Sequence, residues 1–120
     1  MKLMPQEVEV WYLIPALRRE LSKIFISDFK KTQKEVSEIL EITESAVSQY
    51  LNEKRGKELK FNKEEIEGIK KTAEKIISDE KKSREEFYKL CIKFRACDSL
   101  CKLHKKQDSS LPKNCDLCNC

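Results

Sequence analysis

The sequence predicts an all-α protein. A helix-turn-helix domain comes first, long helices suited to dimerisation follow, and a small irregular cysteine-rich module ends the chain. Three observations carry that expectation. Glycine and proline are scarce, two and three in 120 residues, so few tight turns are available. Apolar residues recur at three- and four-residue steps through most of the chain. All six cysteines lie between positions 91 and 120. The expected divisions are 1–60 for the helix-turn-helix domain, 61–96 for amphipathic helices, and 97–120 for the cysteine-rich module, with Cys91 contributing.

From Gln6 to about Asp28, the apolar residues Val10, Ile14, Leu17, Leu21, Ile24 and Phe25 build one helical stripe. Pro15 sits inside that stripe and should kink the helix or split it. Thr32 then caps a short helix, and Glu35 completes a Thr-x-x-Glu capping box. Val36, Ile39 and Leu40 form its buried face. Glu41, Ile42 and Thr43 make a tight turn, with Ile42 inward and Thr43 as the next cap. The following helix buries Val47 and Leu51, with Tyr50 at the edge and Gly56 as a stop signal. Asn62 and Glu65 open a long amphipathic helix lined by Ile66, Ile69, Ala73, Ile76 and Ile77. Another helix places Phe87, Leu90, Cys91 and Phe94 on one face. Past Ala96 the periodicity fades, and 97–120 reads as irregular.

Composition narrows the function classes. The hydrophobic fraction is 39% and the charged fraction 38%, so the core is thin and a staple is expected. A net charge of +4 is too mild to argue nucleic-acid binding by itself. The apolar run 8–17 is preceded by Gln6 and Glu7 and contains Glu9 and Pro15, which does not suit a signal peptide. No stretch approaches membrane-spanning length. A cytoplasmic protein without a membrane partner is expected, and cysteines there point to metal or redox chemistry rather than disulfides. One histidine, no Gly-rich phosphate loop and no paired carboxylates in an apolar setting argue against an enzyme and against a small-molecule substrate.

Two short helices joined by a tight turn are the pattern of a helix-turn-helix. Its second helix lies in the major groove of double-stranded DNA. With the buried set removed, Glu44, Ser45, Ala46, Ser48 and Gln49 remain to face base edges. Four of these form hydrogen bonds, and Ala46 accepts a thymine methyl. Gln33 opens the preceding helix, where its side chain and N–H suit a phosphate. Lys31, Lys34, Lys54 and Arg55 flank these positions. Such proteins commonly bind two half-sites roughly 34 Å apart as two-fold dimers. The stripe within 62–96 is the expected homodimer seam, although the helix-turn-helix domain is an equal candidate to cover it.

The cysteine spacing is C91-x5-C97-x3-C101-x2-H104-x10-C115-x2-C118-x1-C120. Cys115 and Cys118 form a knuckle that brings two thiolates to one metal. Cys101 is the best upstream member, with Cys91, Cys97 or His104 beside it. Six thiols against one histidine favour an iron–sulfur cluster. Structural zinc, a thiol switch and idle cysteines are the other readings.

Residues 32–56, with A-V-S-Q-Y-L-N-E-K-R-G at 46–56, resemble the helix-turn-helix of the Cro/phage-repressor class, often called Xre-type. The whole chain resembles a group of archaeal predicted transcriptional regulators. The carrying residues are P-Q-E-V-E-V-W-Y-L-I-P-A-L-R-R-E-L at 5–21, the stretch 46–56, C-K-L-H at 101–104 and L-P-K-N-C-D-L-C at 111–118. That group couples the helix-turn-helix to a cysteine-rich segment opened by a C-x-x-C pair. Cys91 aligns with the pair's second position and Tyr88 with its first. The resemblance implies Cys91, Cys101, Cys115 and Cys118 as ligands, with Cys97, His104 and Cys120 in reserve. The expected function is a DNA-binding regulator whose iron–sulfur cluster senses redox, oxygen, sulfur or iron status. The alternatives are the same regulator with structural zinc, or a zinc-knuckle protein-interaction adaptor.

Overall fold

A computed structural model describes residues 4–95 and 97–107. Among them the chain is all-helical, and no strand occurs. The elements are α1 (Pro5–Val8), a π-helical turn (Glu9–Leu13), α2 (Ile14–Ser27), α3 (Gln33–Leu40) and α4 (Glu44–Leu51). After them come α5 (Lys63–Ser78), a 3-10 turn (Glu80–Lys82), α6 (Ser83–Phe94) and α7 (Asp98–Gln107). No described helix is long and apolar enough to cross a membrane.

Each element starts or stops where local chemistry requires it. Pro15 has no N–H to give the carbonyl of Trp11, four residues back, so a regular α-helix cannot run through. The backbone widens instead. The N–H of Ile14 donates to Glu9, five residues back, and α2 begins at Ile14. This is the split expected at Pro15. Thr32 Oγ1 accepts from the N–H of Glu35 (3.1 Å), and the Glu35 carboxylate accepts from the N–H of Thr32 (3.0 Å). Asn62 and Glu65 repeat that reciprocal cap on α5, at 2.8 Å both ways.

α2 is the central element. Leu13, Ala16, Leu17, Leu21 and Phe25 are fully buried, and α3, α4 and α5 pack around them. Ile69, Ala73 and Ile76 of α5 close the other side with no exposed area. One hydrophobic cluster runs from Val8 to Leu100, across both expected domain boundaries. Ile69, Ala73 and Ile76 of the α5 stripe are therefore used inside the chain, and Ile66 and Ile77 are half-buried beside them. The cover of the stripe is α2.

Three further expectations need correction. Tyr50 is not at the edge; it is 3% exposed. Ala46 is buried too, at 8%, because it lies on the same side of α4 as Val47 and Tyr50. Residues 98–107 are helical rather than irregular. In α7 the apolar positions Leu100 and Leu103 are three apart, a signal too short to stand out among charged neighbours.

Arg19 is the largest fully buried side chain. Its Nη1 donates to the carbonyl of Gly56, and its Nη2 pairs with Glu20 at 2.9 Å. Gly56 has φ +72°, and a Cβ there would sit 2.6 Å from the carbonyl oxygen of Pro15. Only glycine fits both demands. Gly56→Ala should therefore cost about 2–4 kcal/mol of unfolding free energy in urea melts, a backbone penalty plus a clash with main-chain atoms. A loss below about 0.5 kcal/mol would mean that the loop moves away from α2 freely.

Candidate nucleic-acid interface

α3 and α4 are joined by a turn whose geometry is set by one residue. Glu41 adopts the left-handed region (φ 57°), and both its N–H and that of Ile42 return to the carbonyl of Ser37. Thr43 then caps α4, its Oγ1 accepting from the N–H of Ala46 at 3.0 Å. Val36, Ile39 and Val47 lock the pair onto α2.

The first turn of α4 leaves Glu44 and Ser45 exposed. Ser48 and Gln49, one turn on, are half-buried. The Oε1 of Gln49 is enclosed and has no hydrogen-bond partner among the described residues. The base-facing set expected from the sequence thus divides. Glu44 and Ser45 stand clear, Ser48 and Gln49 are partly available, and Ala46 is turned inward.

The flanking charges divide as well. Gln33 and Lys34 are exposed at the start of α3, outside its internal hydrogen-bond ladder. Lys54 and Arg55 are exposed in the loop after α4. Lys31 is half-buried and faces two carboxylates, Glu80 at 3.6 Å and Glu35 at 3.9 Å. It ties the entry of α3 to the 3-10 turn. Glu53, also in the loop, pairs with Lys23 at 2.9 Å and Lys60 at 3.4 Å. The hydrogen bond from Lys23 is the main reason its carboxyl lies below the usual range, with Lys60 adding to it. Sequence reasoning missed the tethers from Lys31 to Glu80 and from Lys23 to Glu53, because partners so far apart in the chain leave no local pattern.

The described cysteines fall in two places. Cys91 sits on α6 near Glu9, Arg18 and Arg95, and burial pushes its thiol up to about 11, with Glu9 adding to the rise. Cys97 immediately precedes α7, and Cys101 is one turn further on, where its N–H donates to the carbonyl of Cys97. Burial pushes the Cys97 thiol up to about 12; the N–H of Leu100 opposes this, and Glu65 and Cys101 add to it. His104 is buried on the same helix. Among the described residues, no three metal-ligating side chains come together. Cys115, Cys118 and Cys120 lie outside the described residues.

Compared with known proteins, the chain matches no family model, no curated protein and no solved structure.

Glu65 fastens α7 to α5. Its Oε1 accepts from the Ser99 hydroxyl at 2.5 Å, in addition to capping α5. Burial alone would raise its carboxyl. The hydrogen bonds from Ser99, Asn62 and Cys97 outweigh burial and hold it below 4.5. A depressed carboxyl stabilises the fold above its unfolded value, and that contribution is lost as pH falls through the folded value. Unfolding free energy should therefore drop as pH is lowered below about 4.5, the unperturbed value for this group. Glu65→Gln should flatten that part of the profile. An identical profile in the variant would remove Glu65 as the source.

Proposed function

We propose that the chain is a DNA-binding transcriptional regulator that lays the first turn of α4 in the major groove. One observation carries this reading: α3 and α4 are independently capped, joined by a left-handed turn, and fixed to α2, while Glu44 and Ser45 face solvent. This presents short hydrogen-bonding side chains on a rigid element, which base readout needs. Glu44 suits the amino group of cytosine. Ser45 suits either a base edge or a phosphate, and the Gln49 amide reaches further along the groove. Gln33, Lys34, Lys54 and Arg55 are the phosphate contacts, arranged on both sides of α4. Lys31 is spent on Glu35 and Glu80 and contributes less.

Two copies would read two half-sites. With the α5 stripe used in the core, the large apolar side chains left exposed within 62–96 are Tyr88 and Ile92 on α6, and these are the homodimer contact we assign.

The C-terminal cysteines hold an iron–sulfur cluster in this reading. The described residues fit half of such a site. Cys97 and Cys101 lie one helical turn apart, and thiolates are the donors that clusters take. Cys115 and Cys118 supply the other half. Cys91, beside a carboxylate on another helix, is the weaker candidate. A bound cluster supplies one-electron redox chemistry. The chain's own contribution is to seat Cys97 against Glu65, so that a change at the thiols is felt where α7 meets α5.

The test starts from a pool of randomised duplexes. The full chain should enrich one sequence, and Ser45→Ala with Gln49→Ala should weaken that site by about tenfold or more while non-specific binding persists. Lys34→Ala with Arg55→Ala should weaken all sequences and lower the salt slope by about two. Absence of any enriched sequence would sink the regulator reading. On the same anaerobic protein, matched iron and acid-labile sulfide lost in Cys97→Ser support the cluster. One zinc per chain would replace the cluster with a structural site.

A further inference from the structure

A cavity of about 230 Å³ opens where α2, the α3–α4 turn and the start of α6 meet. Ile39 and Phe87 give it an apolar wall, and Arg18, Glu41, Ser83 and Arg84 give it a polar one. We propose that this cavity binds a small organic carboxylate, with the carboxylate on Arg18 and Ser83 and the apolar body against Phe87 and Ile39.

The charges decide the class of ligand. Arg18 is half-buried, and its guanidinium lies 5.8 Å above the ring of Phe87. None of the ion pairs among the described residues involves it. A partly desolvated guanidinium that lies over a ring and near the Cys91 thiol, outside every ion pair among the described residues, has unused donors, and its planar fork matches a carboxylate. Ser83 is buried and is the first residue of α6, a 12-residue helix whose N-cap residue, Lys82, makes no side-chain cap. That helix end adds positive potential to the cavity. Arg84 is already matched: its Nε and Nη2 each reach a carboxylate oxygen of Glu41 at 2.9 Å. The protein's own carboxylate at the rim thus shows which group the cavity accepts, and leaves Arg18 for a second one.

Size and wall decide the rest. The volume equals roughly eight waters, so the ligand has about ten heavy atoms. It is smaller than the usual drug-sized site. An apolar wall on one side gives a bare oxyanion nothing to touch, and favours an aryl or aliphatic acid over free phosphate.

The binding site stands on this geometry alone. Its consequence for DNA rests on the regulator reading. Glu41 holds the left-handed turn between α3 and α4, so a ligand that competes for the two arginines acts directly behind the recognition helix.

The test is a titration of reduced, isotope-labelled full chain, read by amide and arginine side-chain NMR signals. The probes are benzoate, hexanoate, the neutral isostere benzamide, and inorganic phosphate. Benzoate or hexanoate should shift Arg18, Glu41, Ser83 and Phe87 saturably, while benzamide and phosphate leave them in place. Arg18→Gln should weaken benzoate about tenfold or more. Glu41→Gln, at an exposed site that leaves the core untouched, should tighten it about threefold by releasing Arg84. No saturable shift with either acid, equal shifts with benzamide, or shifts with phosphate alone would each overturn the proposal. A duplex-binding assay with and without benzoate separates the two readings. Unchanged DNA affinity in a protein that binds benzoate removes the link to α4 and leaves the site intact.

Discussion

The contact between Gly56 and the start of α2 is the constraint on which the rest of the structure depends. A buried guanidinium is costly unless its donors are met, and Arg19 meets them with the Gly56 carbonyl and the Glu20 carboxylate. The same glycine lies so close to the backbone of Pro15 that any side chain would strike it. The loop leaving α4 is thereby fixed to α2 at a point where neither partner can shift. α4 packs on α2 along its length, so fixing its exit fixes its rotation. That rotation selects which residues face out. Ala46, Val47 and Tyr50 turn inward, and Glu44 and Ser45 turn outward. The exposed face of α4 is a by-product of a core constraint several residues away.

Much of this was legible in the sequence, and the reasons differ by element. The caps at Thr32, Thr43 and Asn62 are local chemistry, and local chemistry survives folding. The split at Pro15 was legible for the same reason: a missing N–H has one consequence wherever it occurs. The apolar stripes of α3, α4 and α5 were visible as periodicity. What covers each stripe was not, because periodicity names a buried face and never its partner. The α5 stripe suited a second chain as well as it suited α2. Ala46 and Tyr50 were misplaced because a helix of eight residues gives a short stripe, and its edge cannot be drawn to one position. The tethers Arg84–Glu41 and Lys31–Glu80 join residues far apart in the chain, where no pattern exists to read.

The cysteines show the opposite situation. Their crowding toward one end was obvious, and it suggested one site. The described part sets them on different elements instead. Cys91 follows Leu90 on α6 and faces the first helical turns, whereas Cys97 lies just before α7 beside Glu65 of α5, and Cys101 lies within α7. Sequence proximity does not guarantee a shared site when a helix terminus falls between the positions. Arg95 pairs with Glu9 at 2.8 Å and holds the end of α6 to the π-helical segment.

α6 therefore links several chemically distinct parts of the molecule. Its first turn carries Ser83 and Arg84 to the α3–α4 turn. Its middle carries Phe87 under Arg18 and Cys91 beside Glu9. Its last turn leads to the thiols of α7. A helix of 12 residues is about 18 Å of stiff rod, so motion at one end appears at the other. The first turn is held by an exposed ion pair, Arg84 with Glu41, and the end by a partly enclosed one, Arg95 with Glu9. The exposed pair exchanges partners at little cost, unlike the packed centre at Leu90. The helix is thus clamped in the middle and most adjustable at its first turn. A ligand in the cavity and a group held by α7 would act on opposite tips of one lever. Any dependence between their binding affinities must then be reciprocal, whatever contacts carry it.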